Sequence, residues 1–421
     1  MVTESLVATS SDVLIVGAGA AGLATAIFTR RNNPGMSVIL LEGARRPGAK
    51  ILISGGSRCN VTNTVVTGRD FWGGRPAIVR RVLRAFPVDA TTTFFRELGV
   101  ALHEEEDGKL FPDSNRSRDV LEALLREAGR SGVALLTDRR VVDVQRATEG
   151  FRITLAGGEM SARFVVLATG GRSLPKTGSD GAGLGMAERL GHSIVPTSPA
   201  LVPLVLDGTD PFHAQLSGVS QPVELSIRVD GAVATRLSGS MLWTHFGISG
   251  PVALNASRHW LRAAQDGLSV TITANFCQRR SFDTVDQELT RFAAARPKAS
   301  VHSALGALVP ASFSSALMKR LDLETALSLS HLTRDDRRRL VHALVEWPLP
   351  VVGTRGYNFA EVTAGGVALD EIDSSTLESR VCRGLYLVGE MLDVDGRIGG
   401  FNFQWAWSTG FVAGRALARL G

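Results

Sequence analysis

The chain has 421 residues, of which 44% are hydrophobic and 21% are charged. This composition is that of an ordinary globular protein and excludes a disordered chain or a fibrous repeat, and the length favours two or three domains. The 46 basic residues exceed the 41 acidic ones, but they are scattered along the sequence. We therefore do not expect nucleic acid as a partner.

The cysteines and the start of the chain bear on where the protein works. Cys59, Cys277 and Cys382 are too few and too widely spaced for a disulfide framework or a zinc site, which predicts a reducing, cytoplasmic environment. The opening MVTESLVATSSD has no basic segment before an apolar one, which argues against a signal peptide. We expect no membrane partner, and no metal, because Asp393 and Asp395 have no companion ligands nearby.

The first recognisable unit is a strand, a glycine turn, a helix and a second strand. Residues 12–16 (DVLIV) are typical of a buried parallel strand, and residues 37–42 (SVILLE) of its neighbour. The turn between them has the GxGxxG pattern of a dinucleotide site, and its residues are Gly17, Ala18, Gly19, Ala20, Ala21 and Gly22.

Each glycine of this turn has a distinct expected role. Gly17 permits the tight turn, Gly19 lets the backbone approach a pyrophosphate, and Gly22 lets the helix pack on the strand. Glu42 follows Gly22 by 20 residues, where its carboxylate accepts hydrogen bonds from a ribose and repels a 2′-phosphate. The unit therefore predicts FAD or NAD and excludes NADP.

Further elements follow in chain order. Residues 43–63 are rich in Gly, Ser and Arg and predict a loop, and residues 75–132 predict mainly helices. Strands are expected at 133–138, 140–147, 151–156 and 161–169, then, beyond a proline-rich crossing, at 223–231, 233–239 and 269–276. Residues 281–346 predict helices that form either a lid or a fixed wall. A strand at 384–390 and an apolar helix from Phe401 close the chain.

Two of these segments resemble the glutathione-reductase-like FAD superfamily. They are VVLATGG (165–171) and GLYLVGE (384–390), the second followed by a helix. The resemblance implies that Glu390 holds hydroxyls of the cofactor. It also implies that Gly399, Gly400, Phe401 and Asn402 form a helix N-terminus facing the flavin, where a helix dipole stabilises negative charge. Together with the first turn, these motifs favour FAD over NAD.

Longer motifs resemble a narrower group, the bacterial FAD flavoprotein family that includes 3-dehydro-bile-acid reductase-like and aminoacetone-oxidase-like enzymes. They are KILISGGSRCNVTN (50–63), THFGISGP (244–251), GTRGYNFAEVTAGGV (353–367) and GEMLDVDGRIGGFNFQWAWSTG (389–410). The resemblance implies an α/β fold whose Rossmann-type FAD-binding domain is built from both chain ends. The expected domains are 1–200 and 351–421 for FAD, with a β-rich insertion at 201–280 and its helical segment at 281–350.

The motifs and the resemblance give a list of expected contacts with non-covalent FAD. Lys50 and Arg58 are expected at phosphate charge or the substrate entrance, and no redox role is expected for Cys59, which has no partner cysteine nearby in the sequence. The full list is Gly17, Gly19, Ala20, Ala21, Gly22, Glu42, Gly43, Lys50, Ser57, Arg58, Cys59, Asn60, Val142, Ala168, Thr169, Gly170, Gly389, Glu390, Gly400, Phe401 and Asn402.

Residues for catalysis and substrate binding are fewer. His245, between Thr244 and Phe246, is the candidate acid or base because imidazole titrates near neutrality, although it could equally support the loop. Arg355, Tyr357 and Gln404 are candidates for substrate contact, with a hinge role as the alternative for the first two.

These observations predict an FAD-dependent oxidoreductase. The first choice is an NAD(P)H-dependent reductase of a conjugated C=C bond in a hydrophobic small molecule, with hydride passing through flavin N5. The alternatives are an amine or alcohol oxidase that uses O₂ and, from another class, an RNA-binding or redox-sensing flavoprotein. The sequence shows no second GxGxxG after a strand for a nicotinamide nucleotide, and it leaves the oligomeric state open.

Overall fold

The computed structural model describes residues 10–209 and 212–420. The segment that carries the signal-peptide prediction lies largely in residues 1–9, outside these ranges. The chain divides into two compact units. The first joins the chain up to Pro199 with the part from Glu361 onward, and the second is Ala200–Ala360.

Helices and strands alternate in the first unit, and an antiparallel sheet precedes most helices in the second. The strands are β1 (Ser10–Val16), β2 (Val38–Leu41), β3 (Thr62–Asn63), β4 (Phe71–Gly73), β5 (Leu102–Glu105), β6 (Lys109–Pro112), β7 (Ala134–Leu136), β8 (Val141–Arg146), β9 (Phe151–Leu155), β10 (Gly158–Leu167), β11 (Ile194–Ala200), β12 (Leu204–Leu206), β13 (Ser220–Val229), β14 (Ala232–Thr244), β15 (Gly247–Ser249), β16 (Val270–Asn275), β17 (Trp347–Leu349), β18 (Val351–Thr354), β19 (Val362–Val367), β20 (Leu385–Leu387) and β21 (Val394–Gly396). The helices are α1 (Ala20–Asn32), α2 (Ala49–Ser57), α3 (Pro76–Ala85), α4 (Val88–Glu97), α5 (Ser117–Arg130), α6 (Ala182–Arg189), α7 (Phe212–Gln215), α8 (Pro251–Gln265), α9 (Phe282–Ala295), α10 (Val301–Leu305), α11 (Ala311–Arg320), α12 (Arg334–Val345) and α13 (Phe401–Leu417).

The first unit is built on a parallel sheet with the strand order β7-β2-β1-β10-β20. Its central strands are buried on both faces, which explains the continuous apolar run of β1. Strands β8 and β9 extend β10 in antiparallel fashion. Because the carboxyl ends of parallel strands meet at one edge, the segments that follow β1, β2, β10 and β20 come together there.

Helix α13 packs closely on α1 because two of its glycines carry no side chain. A Cβ atom added to Gly410 would lie 2.6 Å from Ala24 Cβ, and one added to Gly414 would lie 2.8 Å from Phe28 Cβ. This contact joins the carboxyl-terminal part of the chain to the first βαβ unit. Within residues 10–209 and 212–420, no helix is both long and apolar enough to cross a bilayer.

Two regions of the first unit differ from their predictions. Residues 43–63 contain helix α2, which the sequence hides because only Ile51 of that helix is buried and Ser54, Gly55 and Gly56 depart from helical geometry. Residues 75–132 contain helices α3, α4 and α5, in keeping with the mainly helical prediction, and also the β5–β6 hairpin. The charged first strand of this hairpin, LHEE, lacks the usual alternation.

The second unit is an antiparallel sheet with helices packed on it. The strand order is β17-β16-β13-β14-β15-β12-β18, and the strands predicted at 223–231, 233–239 and 269–276 are present as β13, β14 and β16. Helices α9 to α12 confirm the helical prediction for 281–346. Their buried residues share one apolar core with the strands, so the insertion expected in two segments forms one unit, which ends at Ala360 instead of 350.

A buried polar cluster ties the segment after α6 to the connection between β19 and β20. His192 Nδ1 lies 2.8 Å from Glu371 Oε2, and its Nε2 lies 2.8 Å from Ser379 Oγ. Burial alone would raise the pKa of the Glu371 carboxyl, but hydrogen bonds from Ser193 and His192 outweigh it and lower this pKa from its ordinary value.

A Glu371→Gln variant is expected to be less stable than the parent protein at neutral pH and equally stable in acid. Since the pKa of Glu371 is lower in the folded than in the unfolded state, its contribution is present above the unfolded value and disappears as the pH falls through the folded one. We expect a loss of about 1–2 kcal/mol at neutral pH, measured by urea unfolding, and convergence with the parent protein below about pH 4. The exposed Glu149→Gln control should differ little at either pH; a constant Glu371→Gln penalty would contradict the assignment.

Candidate functional site at the edge of the parallel sheet

In the glycine turn after β1, two glycines are required by the fold and a third leaves room for a ligand. A Cβ on Gly17, whose φ is +104°, would lie 2.6 Å from Ala168 O, and one on Gly22 would lie 1.9 Å from Gly17 O. Around Gly19, by contrast, no atom of the described residues other than its immediate chain neighbours lies within 4 Å of an added Cβ. Gly17 and Gly22 are thus needed by the protein's own backbone, whereas Gly19 leaves an open approach to the start of α1.

Glu42 joins the glycine turn to the segment after β2. Its Oε2 accepts a hydrogen bond from Ala18 N at 3.0 Å and its Oε1 one from Ala44 N at 3.0 Å. Each carboxylate oxygen retains capacity for a second hydrogen bond, so the residue that fixes the turn can also accept from a diol. Gly43 lies between these two contacts, where a Cβ would come within 3.0 Å of Arg140 Cδ.

The segment after β10 lies beside this turn. Ala168 N donates to Val16 O at 2.9 Å, which places Ala168, Thr169 and Gly170 at the carboxyl edge. Thr169 in turn packs on the start of α6, since a Cβ on Gly183 would lie 1.9 Å from Thr169 Oγ1. Gly183, the last glycine of the stretch 178–183, is therefore needed for this packing.

A partly buried network connects four chain segments at the same edge. Lys50 Nζ on α2 lies 2.5 Å from Glu390 Oε2 and donates to Ser173 Oγ at 2.6 Å. Glu390 Oε1 accepts from Ser173 Oγ at 2.7 Å and from Thr363 N at 2.9 Å. Lys50 and Glu390 are predicted from the sequence as site residues, but Ser173 and Thr363 are not. The only sequence signal for these two is that each lies beside a Gly-rich strand end.

Arg58, expected at a phosphate or at the substrate entrance, instead pairs with an acidic residue. Its Nη1 lies 2.6 Å from Glu105 Oε1, and its guanidinium lies 4.1 Å from the centre of the Phe111 ring. The charge that the sequence assigns to a phosphate or to the substrate entrance is thus already paired with a carboxylate. This pairing argues against that role, and it holds the 57–60 segment against the β5–β6 hairpin.

The rest of the 57–60 segment has an unusual backbone. Ser57 and Cys59 both have positive φ, at 66° and 63°. The Cys59 side chain is fully buried, and burial raises the pKa of its thiol to about 12, so it stays protonated and unreactive. Asn60, with its amide turned to suit its neighbours, donates to Thr62 O at 2.8 Å and accepts from Gly400 N at 3.1 Å.

The start of α13 is held close to this segment. A Cβ on Gly400 would lie 2.4 Å from Thr62 O. The side chain of Phe401 is buried, and that of Asn402 accepts from Gly396 N at 2.7 Å and donates to Gly396 O at 3.0 Å. Because its side chain is engaged in this way, we expect Asn402 to contact a ligand through its backbone. Val142, also on the list of expected contacts, lies at a register shift of β8 and is 53% exposed.

Gln404 does not suit the expected substrate contact. It is 1% exposed, its Oε1 accepts from Thr62 Oγ1 at 2.6 Å, and its Nε2 donates to Phe86 O at 2.8 Å and to Ser408 Oγ at 3.1 Å. The amide is satisfied inside the core, so the structure corrects this expectation and makes Gln404 a tie between α13 and its neighbours.

A Gln404→Ala variant is accordingly expected to affect stability and leave substrate affinity unchanged. Truncation removes the amide partners of Thr62 and Phe86 and opens a cavity, so unfolding in urea should show a loss of about 2–4 kcal/mol. The exposed Gln145→Ala change should cost less than about 0.5 kcal/mol. A stable Gln404→Ala enzyme with a raised KM would restore the substrate role.

In the second unit, the structure brings together two predicted residues. His245 lies exposed in the turn between β14 and β15, edge-on to Phe246 with 5.1 Å between ring centres. Arg355 follows β18, and its guanidinium lies 4.6 Å from the centre of the same Phe246 ring. Tyr357 begins a short helical turn two residues later and is half-buried.

Among the residues that the structure describes, no group of three or more His, Cys, Asp or Glu side chains is placed to hold a metal ion. The edge of the parallel sheet instead offers what a dinucleotide needs: an open glycine at a helix N-terminus and an acid after the second strand. These features define a Rossmann-type dinucleotide-binding protein.

Comparisons with known proteins narrow this class. Residues 11–416 match the family model described as HI0933-like protein Rossmann domain. The chain is 34% identical over 404 residues to a 3-dehydro-bile acid delta(4,6)-reductase of Clostridium scindens, covering 96% of this chain and 98% of that protein. It is 33% identical over 407 residues to a ribosomal RNA dihydrouridine synthase of Escherichia coli, with coverage of 96% and 98%.

A solved quinol-fumarate reductase with menaquinol has a similar fold. Its TM-score is 0.51 at 16% identity, and the match covers 98% of this chain and 72% of that one. The chain belongs to the HI0933-like family. It is an FAD-dependent oxidoreductase with a Rossmann-type FAD-binding domain, as the motifs predict.

Proposed function

We propose that the protein is an NAD(P)H-dependent reductase of a C=C bond conjugated to a carbonyl group. The observation that supports this most is chemical agreement between two relatives matched along nearly the whole chain. One name describes reduction of delta(4,6) double bonds in a 3-dehydro bile acid, and the other the formation of dihydrouridine. In a 3-keto-4,6-diene and in uracil alike, the double bond that is saturated is conjugated to a carbonyl.

The edge of the parallel sheet would hold FAD, which supplies two-electron transfer chemistry when bound. Gly19 and the N–H groups at the start of α1 would bind its diphosphate, and Glu42 its adenosine ribose. The charge of Lys50 is paired with Glu390, so Lys50 would serve the site by holding Glu390 and Ser173 in place. The expected contacts at Ala168–Gly170, at Gly389 and at the start of α13 complete the proposed site.

Two substrate classes remain candidates. A hydrophobic, steroid-like enone follows from the Clostridium scindens relative. A uridine in ribosomal RNA follows from the relatives of Escherichia coli and Haemophilus influenzae, the second 31% identical over 413 residues. The expectation that nucleic acid is not a partner therefore needs a direct test.

Both substrates can be offered to the same FAD-loaded enzyme with NADPH or NADH. Reduction of a 3-keto-4,6-diene steroid bleaches its long-wavelength ultraviolet band and adds two hydrogens to its mass. Reduction of ribosomal RNA gives dihydrouridine after digestion to nucleosides, measured by mass spectrometry. Product from either substrate would support the proposal and name the class. No product from either, together with peroxide formation from an amine or alcohol, would favour the oxidase alternative.

A further inference from the structure

The second unit fixes an arginine and two phenylalanines around strand β12. This strand pairs with β15 on one side and with β18 on the other. Arg355 N donates to Pro203 O at 3.2 Å, and Phe246 O accepts from Leu206 N at 3.1 Å. The backbone at both positions is thus anchored to the two ends of β12. Phe359 lies in the short helical turn that follows β18, and we call Arg355, Phe246 and Phe359 the Arg355 cluster.

The guanidinium of this cluster has aromatic neighbours and, in the part of the chain that the structure describes, no carboxylate partner. It lies 3.6 Å from the centre of the Phe359 ring and 4.6 Å from that of Phe246, and Arg355 is half-buried. No residue within 10–209 or 212–420 accepts a hydrogen bond from it or pairs with its charge. A half-buried cation without a counter-charge is costly, and the rings offset only part of this cost.

The chemistry of the cluster defines what it can bind. A guanidinium presents five N–H donors in one plane and stays protonated at any working pH, so it binds an oxygen acceptor and gives up no proton. Phe359 beside it is 48% exposed, and its ring is an apolar, planar group. A ligand that satisfies both is flat and conjugated and ends in an electron-rich oxygen.

We propose that Arg355 binds the carbonyl oxygen of the substrate, with Phe359 packed on the conjugated skeleton. This rests on the proposed reduction of a carbonyl-conjugated double bond. When hydride from NAD(P)H reaches the β-carbon, the electron pair of the C=C bond moves toward the carbonyl oxygen. A proton from solvent then adds to the α-carbon. Arg355 stabilises the negative charge that develops on the oxygen, and a fixed donor at such a position is worth roughly 100-fold in kcat.

The test uses a probe that mimics this charge and cannot be reduced at a C=C bond conjugated to a carbonyl. The probe is 4-nitrophenol, whose phenolate oxygen is conjugated to a flat ring. The probe is added to the FAD-loaded protein without NAD(P)H, and difference spectra are recorded across pH. Binding should lower the pKa of the phenol by about one unit. Arg355→Met should abolish this shift and weaken binding by roughly tenfold or more. Arg355→Lys should restore part of both, and Phe359→Ala should weaken binding and leave the shift.

The matched control is Arg415→Met, which removes an exposed arginine whose guanidinium lies 5.2 Å from the centre of the Phe411 ring in the first unit; its binding should equal that of the parent protein. The proposal is overturned if the parent protein does not bind 4-nitrophenol, or if Arg355→Met binds it unchanged. It is also overturned if inorganic phosphate displaces the probe at equal concentration, because the site would then be one for phosphate.

This assay separates the present proposal from the proposed function. An intact probe site with no reduction of any enone or uridine would remove the proposed function and leave the site. Reduction that proceeds with full kcat in Arg355→Met would remove the site and leave the function. Far-ultraviolet circular dichroism and FAD content, equal among the variants, exclude misfolding as the cause.

Discussion

A Gly19→Val variant is expected to fold as the parent protein does and to purify without FAD. An added Cβ meets no atom within 4 Å beyond its chain neighbours, so we expect the substitution to leave the fold intact and to occupy space proposed for the pyrophosphate. We expect FAD affinity to fall at least roughly 100-fold, or about 2.7 kcal/mol. Flavin absorbance after purification measures the loss, and thermal unfolding of both proteins stripped of FAD measures the fold.

Two other glycines provide the controls for this experiment. Gly22→Val should damage the fold itself, because its Cβ would lie 1.9 Å from Gly17 O. Gly157→Val also enters open space, but in the turn between β9 and β10, so it should keep both fold and FAD. A yellow Gly19→Val protein with its full complement of flavin would contradict the assignment of the pyrophosphate to this turn.

A Lys50→Met variant is expected to lose both stability and cofactor. The substitution leaves the Glu390 carboxylate, 17% exposed, with Ser173 and Thr363 N but without its cation. Removing one partner of a buried ion pair costs about 3–5 kcal/mol, and we expect about 2–4 for this partly exposed one. Urea unfolding of the FAD-free protein measures the loss, and FAD titration measures the affinity.

A double variant and a second, exposed ion pair provide the controls for Lys50→Met. The double variant Lys50→Met/Glu390→Gln should recover part of the lost stability, because no uncompensated charge remains. Lys109→Met breaks the exposed pair with Asp107, whose N–O distance is 3.2 Å, and should cost less than about 1 kcal/mol. If Lys50→Met lowers the free energy of unfolding no more than Lys109→Met does, the Lys50–Glu390 network does not stabilise the fold.

The sequence predicts what is local and misses what is distant. Gly17, Gly22 and Glu42 lie within one βαβ unit, so their spacing alone indicates the turn, the helix packing and the acid after β2. The pairing of Lys50 with Glu390 spans 340 residues, and no periodicity links two such positions. Arg58 is likewise taken up by Glu105, which lies on a hairpin that the sequence does not predict.

Gln404 shows why a polar residue near a predicted site can mislead. It follows the glycines at the start of α13, where the motif suggests contact with a ligand. In a helix the side-chain direction turns by about 100° per residue, and at Gln404 it points into the core, toward Thr62 and Phe86. The sequence has no signal for this, because both partners lie more than 300 residues away.

In the proposed reaction NAD(P)H delivers electrons to the bound flavin. Anaerobic titration of the FAD-loaded protein with NADPH and with NADH, while the flavin absorbance band is followed, measures this step. We expect rapid bleaching by at least one nucleotide, which would also name the preferred donor. A band that persists with both nucleotides but bleaches with dithionite would contradict it and make the substrate itself the electron donor.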